Sequence, residues 1–135
     1  MSFTTLHKNQ TSISSEFFVA AELARRNYNV SLTFGNTKSI DLLAEKEGKK
    51  VSIQVKGIQR EKSICWTINS DSISADVIYI LVNIHSDTLQ APEYFIFTGS
   101  ELKKEIKKVK SGRDYIDYKP ILNSDYQNAW HKISY

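Results

Sequence analysis

Six consecutive residues, Val77-Ile78-Tyr79-Ile80-Leu81-Val82, offer no polar position to water. A run this apolar and this rich in β-branched side chains reads as a buried strand within Asp76–Ile84. A chain that contains one must build layers of structure to cover it.

Other strand-like runs are Tyr28–Phe34, Ser39–Ala44, Val51–Lys56, Ser63–Ile68 and Tyr94–Thr98. The first closes on Gly35-Asn36, and Glu45–Lys50 is a charged turn around Gly48. A helix precedes them, about Ser12 to Asn27, with Thr11, Ser12 and Ser14 as N-cap candidates. Ile13, Phe17, Ala20 and Ala24 recur at helical spacing and predict its apolar stripe. Leu102, Ile106 and Val109 give the same spacing to Gly99–Lys110. Tyr126, Ala129, Trp130 and Ile133 predict a last helix that starts near Ser124. Helix, strands, then helices predicts an α+β fold, with one mixed central sheet flanked by helices.

At 135 residues, 41% hydrophobic and 24% charged, the chain can bury its own core, and a single domain over 1–135 is expected. Its one cysteine, Cys65, excludes a disulfide framework and a cysteine-based zinc site. No apolar run is long enough to span a bilayer. Met1–Gln10 lacks the apolar core of a secretory signal, so a cytoplasmic location is expected. The histidines, His7, His85 and His131, show no ligand spacing and read as surface residues. Trp66, Tyr79, Phe95 and Trp130 read as core, and so does Cys65.

Charge is unevenly spread. The net charge is +3, yet Glu101–Arg113 alone holds six Lys or Arg against two Glu. Such a segment suits a phosphate backbone, and equally a solvated helix face. Its lysines, Lys103, Lys104, Lys107, Lys108 and Lys110, are candidate nucleic-acid contacts. Lys38, Arg60 and Lys62 join them because they flank the residues considered next.

Side chains alternate along a strand. Val51, Ile53 and Val55 therefore share one face, while Ser52, Gln54 and Lys56 share the other. Asp41 likewise opposes its neighbours Ile40 and Leu42. Folded as a hairpin across Glu45–Lys50, the two runs bring Asp41, Gln54 and Lys56 together near the open end. Glu16 lies at the edge of the helix's apolar stripe, and that helix can pack on the sheet. Glu22, Arg25 and Arg26 lie opposite the stripe.

These residue types suit metal-assisted phosphodiester hydrolysis. A hard cation, Mg²⁺ or Mn²⁺, takes oxygen ligands, which Asp41, the side-chain carbonyl of Gln54 and the backbone carbonyl of Val55 supply. Lys56 can orient water and stabilise transition-state charge. The plainer readings are a turn-flanking carboxylate, an edge-strand glutamine, a strand-end lysine and a first-turn helix acid.

Ile40-Asp41-Leu42-Leu43 followed by Ile53-Gln54-Val55-Lys56-Gly57 resembles the core of the PD-(D/E)XK, or restriction-endonuclease-like, nuclease superfamily. Ser15-Glu16-Phe17-Phe18-Val19-Ala20-Ala21-Glu22-Leu23 resembles the Glu-bearing helix of small Holliday-junction resolvases in that superfamily. The resemblance covers about Ser12 to Gly57. It implies an αβββ-type core and a Mg²⁺-dependent endonuclease acting on DNA as a homodimer. Glu16, Asp41, Gln54 and Lys56 would be its catalytic set, and the metal would lie among Glu16, Asp41, Gln54 and Val55. The pattern departs at Gln54, where the superfamily usually has Asp or Glu; a neutral ligand weakens the hold on a cation. A relative that binds nucleic acid or a protein without cutting is the alternative.

Overall fold

The computed structural model describes residues 8–33, 40–59, 65–110 and 113–133. Its elements are helix α1 (Lys8–Arg25), strands β1 (Asn29–Leu32), β2 (Leu42–Lys46), β3 (Lys49–Ile58), β4 (Cys65–Ile68), β5 (Val77–Asn83) and β6 (Glu93–Thr98), helix α2 (Gly99–Glu105), strand β7 (Asp114–Asp117) and helix α3 (Tyr118–Ile121). Short 3-10 turns lie at Ser70–Ser72 and Trp130–Lys132.

Five strands form one mixed sheet in the order β1-β2-β3-β5-β6. β1, β2 and β3 are antiparallel neighbours, β3 and β5 pair in parallel, and β5 and β6 are antiparallel. The β2–β3 hairpin closes on Glu47 and Gly48, both at positive φ (52° and 81°). A two-residue turn of this hand matches the twist of the strands and fixes the register Leu42↔Ile53. A parallel pair needs a crossover, and here it carries β4, which pairs with the distant β7 in a separate two-stranded sheet.

Alternation along β5 explains its uniformly apolar sequence. Ile78, Ile80 and Val82 enter a cluster with Val19 and Leu23 of α1 and with Leu42, Ala44, Ile53 and Val55. Val77, Tyr79 and Leu81 enter a second cluster with Trp66, Ile68, Phe95, Phe97, Leu102 and Ile116. One face of the sheet thus lies under α1, and the other lies under the β4–β7 sheet and α2. This is the expected α+β arrangement, a mixed sheet flanked by helices. Among the described residues no helix is long and apolar enough to cross a membrane.

Several elements differ from the sequence expectation. α1 buries Thr11, Ser15, Val19 and Leu23, not the predicted stripe; Ile13 and Phe17 are 52% and 55% exposed. The helix is seated by small side chains at one end and aliphatic ones at the other, a pattern that a search for apolar spacing overlooks. The helix at Gly99 carries the reciprocal Thr98–Glu101 capping box but stops at Glu105. Ile106 turns extended, and Lys107 then exchanges both backbone hydrogen bonds with Tyr115, so the later lysines are not helical. The predicted last helix is also absent: Asn123 and Asn128 adopt positive φ. The carbonyl of Tyr126 instead accepts from the amide of Ile96, and the amide of Asn128 donates to the carbonyl of Tyr94, along the edge of β6.

Candidate active site

β2 starts at Leu42, opposite Ile53, while β3 continues to Ile58. Asp41 stands at this open end, and three hydrogen bonds hold it. Its amide donates to the carbonyl of Ile53 (2.9 Å), and its carbonyl accepts from the amide of Thr33 (2.9 Å). Its carboxylate Oδ2 accepts from the amide of Val55 (2.8 Å). In an extended strand the N–H and C=O of one residue leave on the same side. The carbonyl of Val55 therefore faces the same open end as Asp41.

Ile53 and Val55 point into the cluster beneath α1, so Gln54 and Lys56 take the opposite face, half-buried. They pair across the parallel ladder with Tyr79 and Leu81. Glu16 arrives from α1. It too is half-buried, whereas Glu22 is held by Arg25 (3.3 Å) and Arg26 (2.6 Å).

The electrostatics tie these groups together. Burial raises the proton affinity of Asp41; the Val55 amide and the charge of Lys56 offset part of that rise. Burial also raises that of Glu16, and the charge of Asp41 raises it further. Two partly desolvated carboxylates repel one another here, and Lys56 compensates only in part. Of the sequence-predicted oxygen donors, the electrostatics couple Glu16 with Asp41, whereas the Gln54 side chain takes the sheet face opposite α1. Among the described residues no three His, Cys, Asp or Glu side chains gather as a metal-binding group.

Lys103, Lys104, Lys107, Lys108 and Lys110 are exposed. Lys107 is drawn to Asp117 (3.2 Å), and Lys108 to Asp114 (3.4 Å) and Ser70 (3.0 Å). α2 leaves the sheet from the outer strand β6 at Thr98, in the row that runs through Ile78 and Ile53 to Leu42. Lys38, Arg60, Lys62 and His7 lie outside the described residues.

One polar cluster was not anticipated. His85, expected at the surface, is largely covered and lies with Nε2 2.7 Å from a carboxylate oxygen of Glu93. The Tyr118 hydroxyl donates to that same oxygen at 2.5 Å. Burial and then Glu93 push the Tyr118 phenol up to about 12. His85 and Glu93 flank the β5–β6 connection, and that bracketing is the one sequence signal that could have linked them. Trp130, expected in the core, is half-buried, with the Arg26 guanidinium 4.4 Å from its ring centre. Cys65 is free and half-buried.

No family model matches the chain, and no curated protein matches it. Among solved structures, that of a bacterial homing endonuclease, I-Ssp6803I, superposes with a TM-score of 0.64. The match covers 94% of this chain and 92% of that one, at 14% sequence identity. The chain thus has a nuclease-like fold; at that identity, it is the fold that the two proteins share.

Proposed function

We propose that this protein is a metal-dependent DNA endonuclease of the PD-(D/E)XK type with a Gln-x-Lys variant of the motif. The observation that carries this reading is the half-buried Asp41 carboxylate, held on the Val55 amide at the open end of the hairpin and coupled electrostatically to Lys56 and to Glu16. The fold shared with a homing endonuclease supports it.

Glu16, Asp41, Gln54 and the carbonyl of Val55 would hold Mg²⁺ or Mn²⁺. A cation bound there lowers the pKa of a coordinated water and offsets charge on the phosphate. The chain's own contribution is position. The Val55 amide keeps the Asp41 carboxylate at the open end of the hairpin and ionised more readily than burial alone would allow. Lys56 presents a fixed positive charge to the scissile phosphate and to the water that attacks it. Half-burial of Glu16 and Asp41 lowers the local dielectric and strengthens both effects. The resemblance further implies a homodimer, since a core this small leaves one chain little surface for gripping a duplex.

The test incubates the purified protein with supercoiled plasmid and with branched DNA, in Mg²⁺, in Mn²⁺ and in chelator. Cleavage that needs the metal and disappears in Asp41→Ala is the expected result. Cleavage that survives both Asp41→Ala and Lys56→Ala would remove the site. Gln54, neutral where a carboxylate is usual, favours a second reading: a nuclease-fold protein that binds nucleic acid or a protein without cutting. Binding of DNA with no cleavage of any form tested selects it.

A further inference from the structure

α1 meets β3 at a very close approach, where Ser15 lies over Gly57. Ser15 is fully buried, and its Oγ donates to the carbonyl of Thr11 at 2.7 Å. A Cβ on Gly57 would stand 1.9 Å from Ser15 Oγ, 2.9 Å from Ser15 Cβ and 3.2 Å from the Thr11 carbonyl oxygen. Rotating the hydroxyl relieves the first contact. With Ser15 in place, its Cβ and the Thr11 carbonyl are fixed to the helix, and α1 must move to relieve them. Gly57 is not among the positive-φ glycines. Its requirement is therefore closeness and not backbone freedom.

These residues are chain neighbours of the proposed chemistry. Glu16 follows Ser15, and Lys56 precedes Gly57. Resting on the site proposed above, we infer that Gly57 is a positioning residue: its missing side chain sets the distance at which α1 holds Glu16 against Asp41. An alanine there lifts the helix at Ser15 and carries Glu16 away from the edge of β3, while Asp41 stays on the Val55 amide.

The test uses the full chain, first without metal. The Glu16 side-chain carboxyl ¹³C resonance is recorded at neutral pH with and without Asp41→Asn, in wild type and in Gly57→Ala. In wild type the resonance responds to Asp41→Asn. In Gly57→Ala that response is largely lost, and adding Ser15→Gly restores most of it by removing the opposing Cβ and hydroxyl, leaving only the 3.2 Å approach of the Thr11 carbonyl. Mn²⁺ is then titrated calorimetrically; its dissociation constant rises about tenfold in Gly57→Ala, the order typical of disturbed ligand support, and returns in the double variant. An equal Glu16 response in both backgrounds overturns the inference, and so does a loss that Ser15→Gly does not reverse. A wild type that takes up no Mn²⁺ but shows the expected Glu16 pattern overturns the metal site and supports the positioning role. If Gly57→Ala does not fold, the double variant is compared with Ser15→Gly alone: matching responses support the inference, and a missing response overturns it.

Discussion

Asp41 holds its carboxylate on the backbone amide of Val55, 2.8 Å away, at the point where β3 runs on past the start of β2. A side chain here completes what the sheet leaves open. Asp41→Ala removes the acceptor from a part-buried amide and is expected to cost about 1–2 kcal/mol in urea unfolding. Asp41→Asn keeps an acceptor oxygen and removes the half-buried charge, so it should escape that cost. Both should abolish cleavage, which separates the structural bond from the charge.

The two carboxylates give a pH signature. Asp41 and Glu16 titrate above their ordinary values of 3.8 and 4.5, so the folded state binds these protons more tightly than the unfolded one. Their contribution is most favourable below those ordinary values and falls as pH climbs to the raised folded ones. Glu101 and Asp114, both held low, act in the opposite sense: their contribution is present above the ordinary value and is lost as pH falls. Glu16→Gln and Asp41→Asn should therefore melt higher than metal-free wild type at neutral pH and lose that advantage in acid. Melting curves from about pH 3 to about pH 8 check this.

Gln54 and Lys56 divide the proposed chemistry between them. Gln54→Glu adds a negative ligand and should tighten Mg²⁺ binding while keeping or raising cleavage. Lys56→Ala should lower the single-turnover rate by about 10² or more, through lost transition-state charge stabilisation. Unchanged Mg²⁺ affinity in Gln54→Glu would place the ion elsewhere.

The pairing and parity of the hairpin were legible in the sequence because strand alternation is rigid: with Leu42, Ile53 and Val55 turned to the core, Gln54 and Lys56 had one face left. The seat of α1 was not. Ile13 and Phe17 advertise an apolar stripe, yet what settles the helix is the approach of Ser15 to Gly57, and small residues carry no hydropathy signal. β7 was missed because its partner β4 lies far back in the chain and its own four residues, with an Asp at each end, are too short to announce a strand. The segment after Ser124 has helical spacing, but left-handed Asn128 and the bonds of Tyr126 and Asn128 to β6 override it.

The lysine segment carries a graded expectation. Lys107 and Lys108 are already drawn to Asp117 and Asp114, so a phosphate must compete for them. If DNA docks there, Lys103→Ala and Lys104→Ala should each lower the slope of log K against log salt by about one unit. Lys107→Ala and Lys108→Ala should lower it less. Titrations at several salt concentrations separate the two pairs.

Glu101 links three elements. It completes the cap of α2 with Thr98 and receives Lys132 at 2.9 and 3.1 Å on its two oxygens. Glu101→Ala should cost about 1–2 kcal/mol in urea unfolding, the range for a lost helix cap. Glu101→Gln preserves the cap and should lose less.

Trp66 and Trp130 are the chain's two tryptophans, and the sheet stands between their surroundings. Trp66 is sealed beneath the β4–β7 sheet, its indole N–H donating to the carbonyl of Val82 at 3.1 Å. Trp130 packs against the cluster under α1 with a guanidinium over its ring. The molecule therefore carries a separate optical reporter for each layer. In Trp66→Phe the remaining emission follows the layer that holds Glu16, and in Trp130→Phe it follows the layer that α1 does not touch. Loosening of the helix alone becomes visible as a change of colour on one side of the sheet.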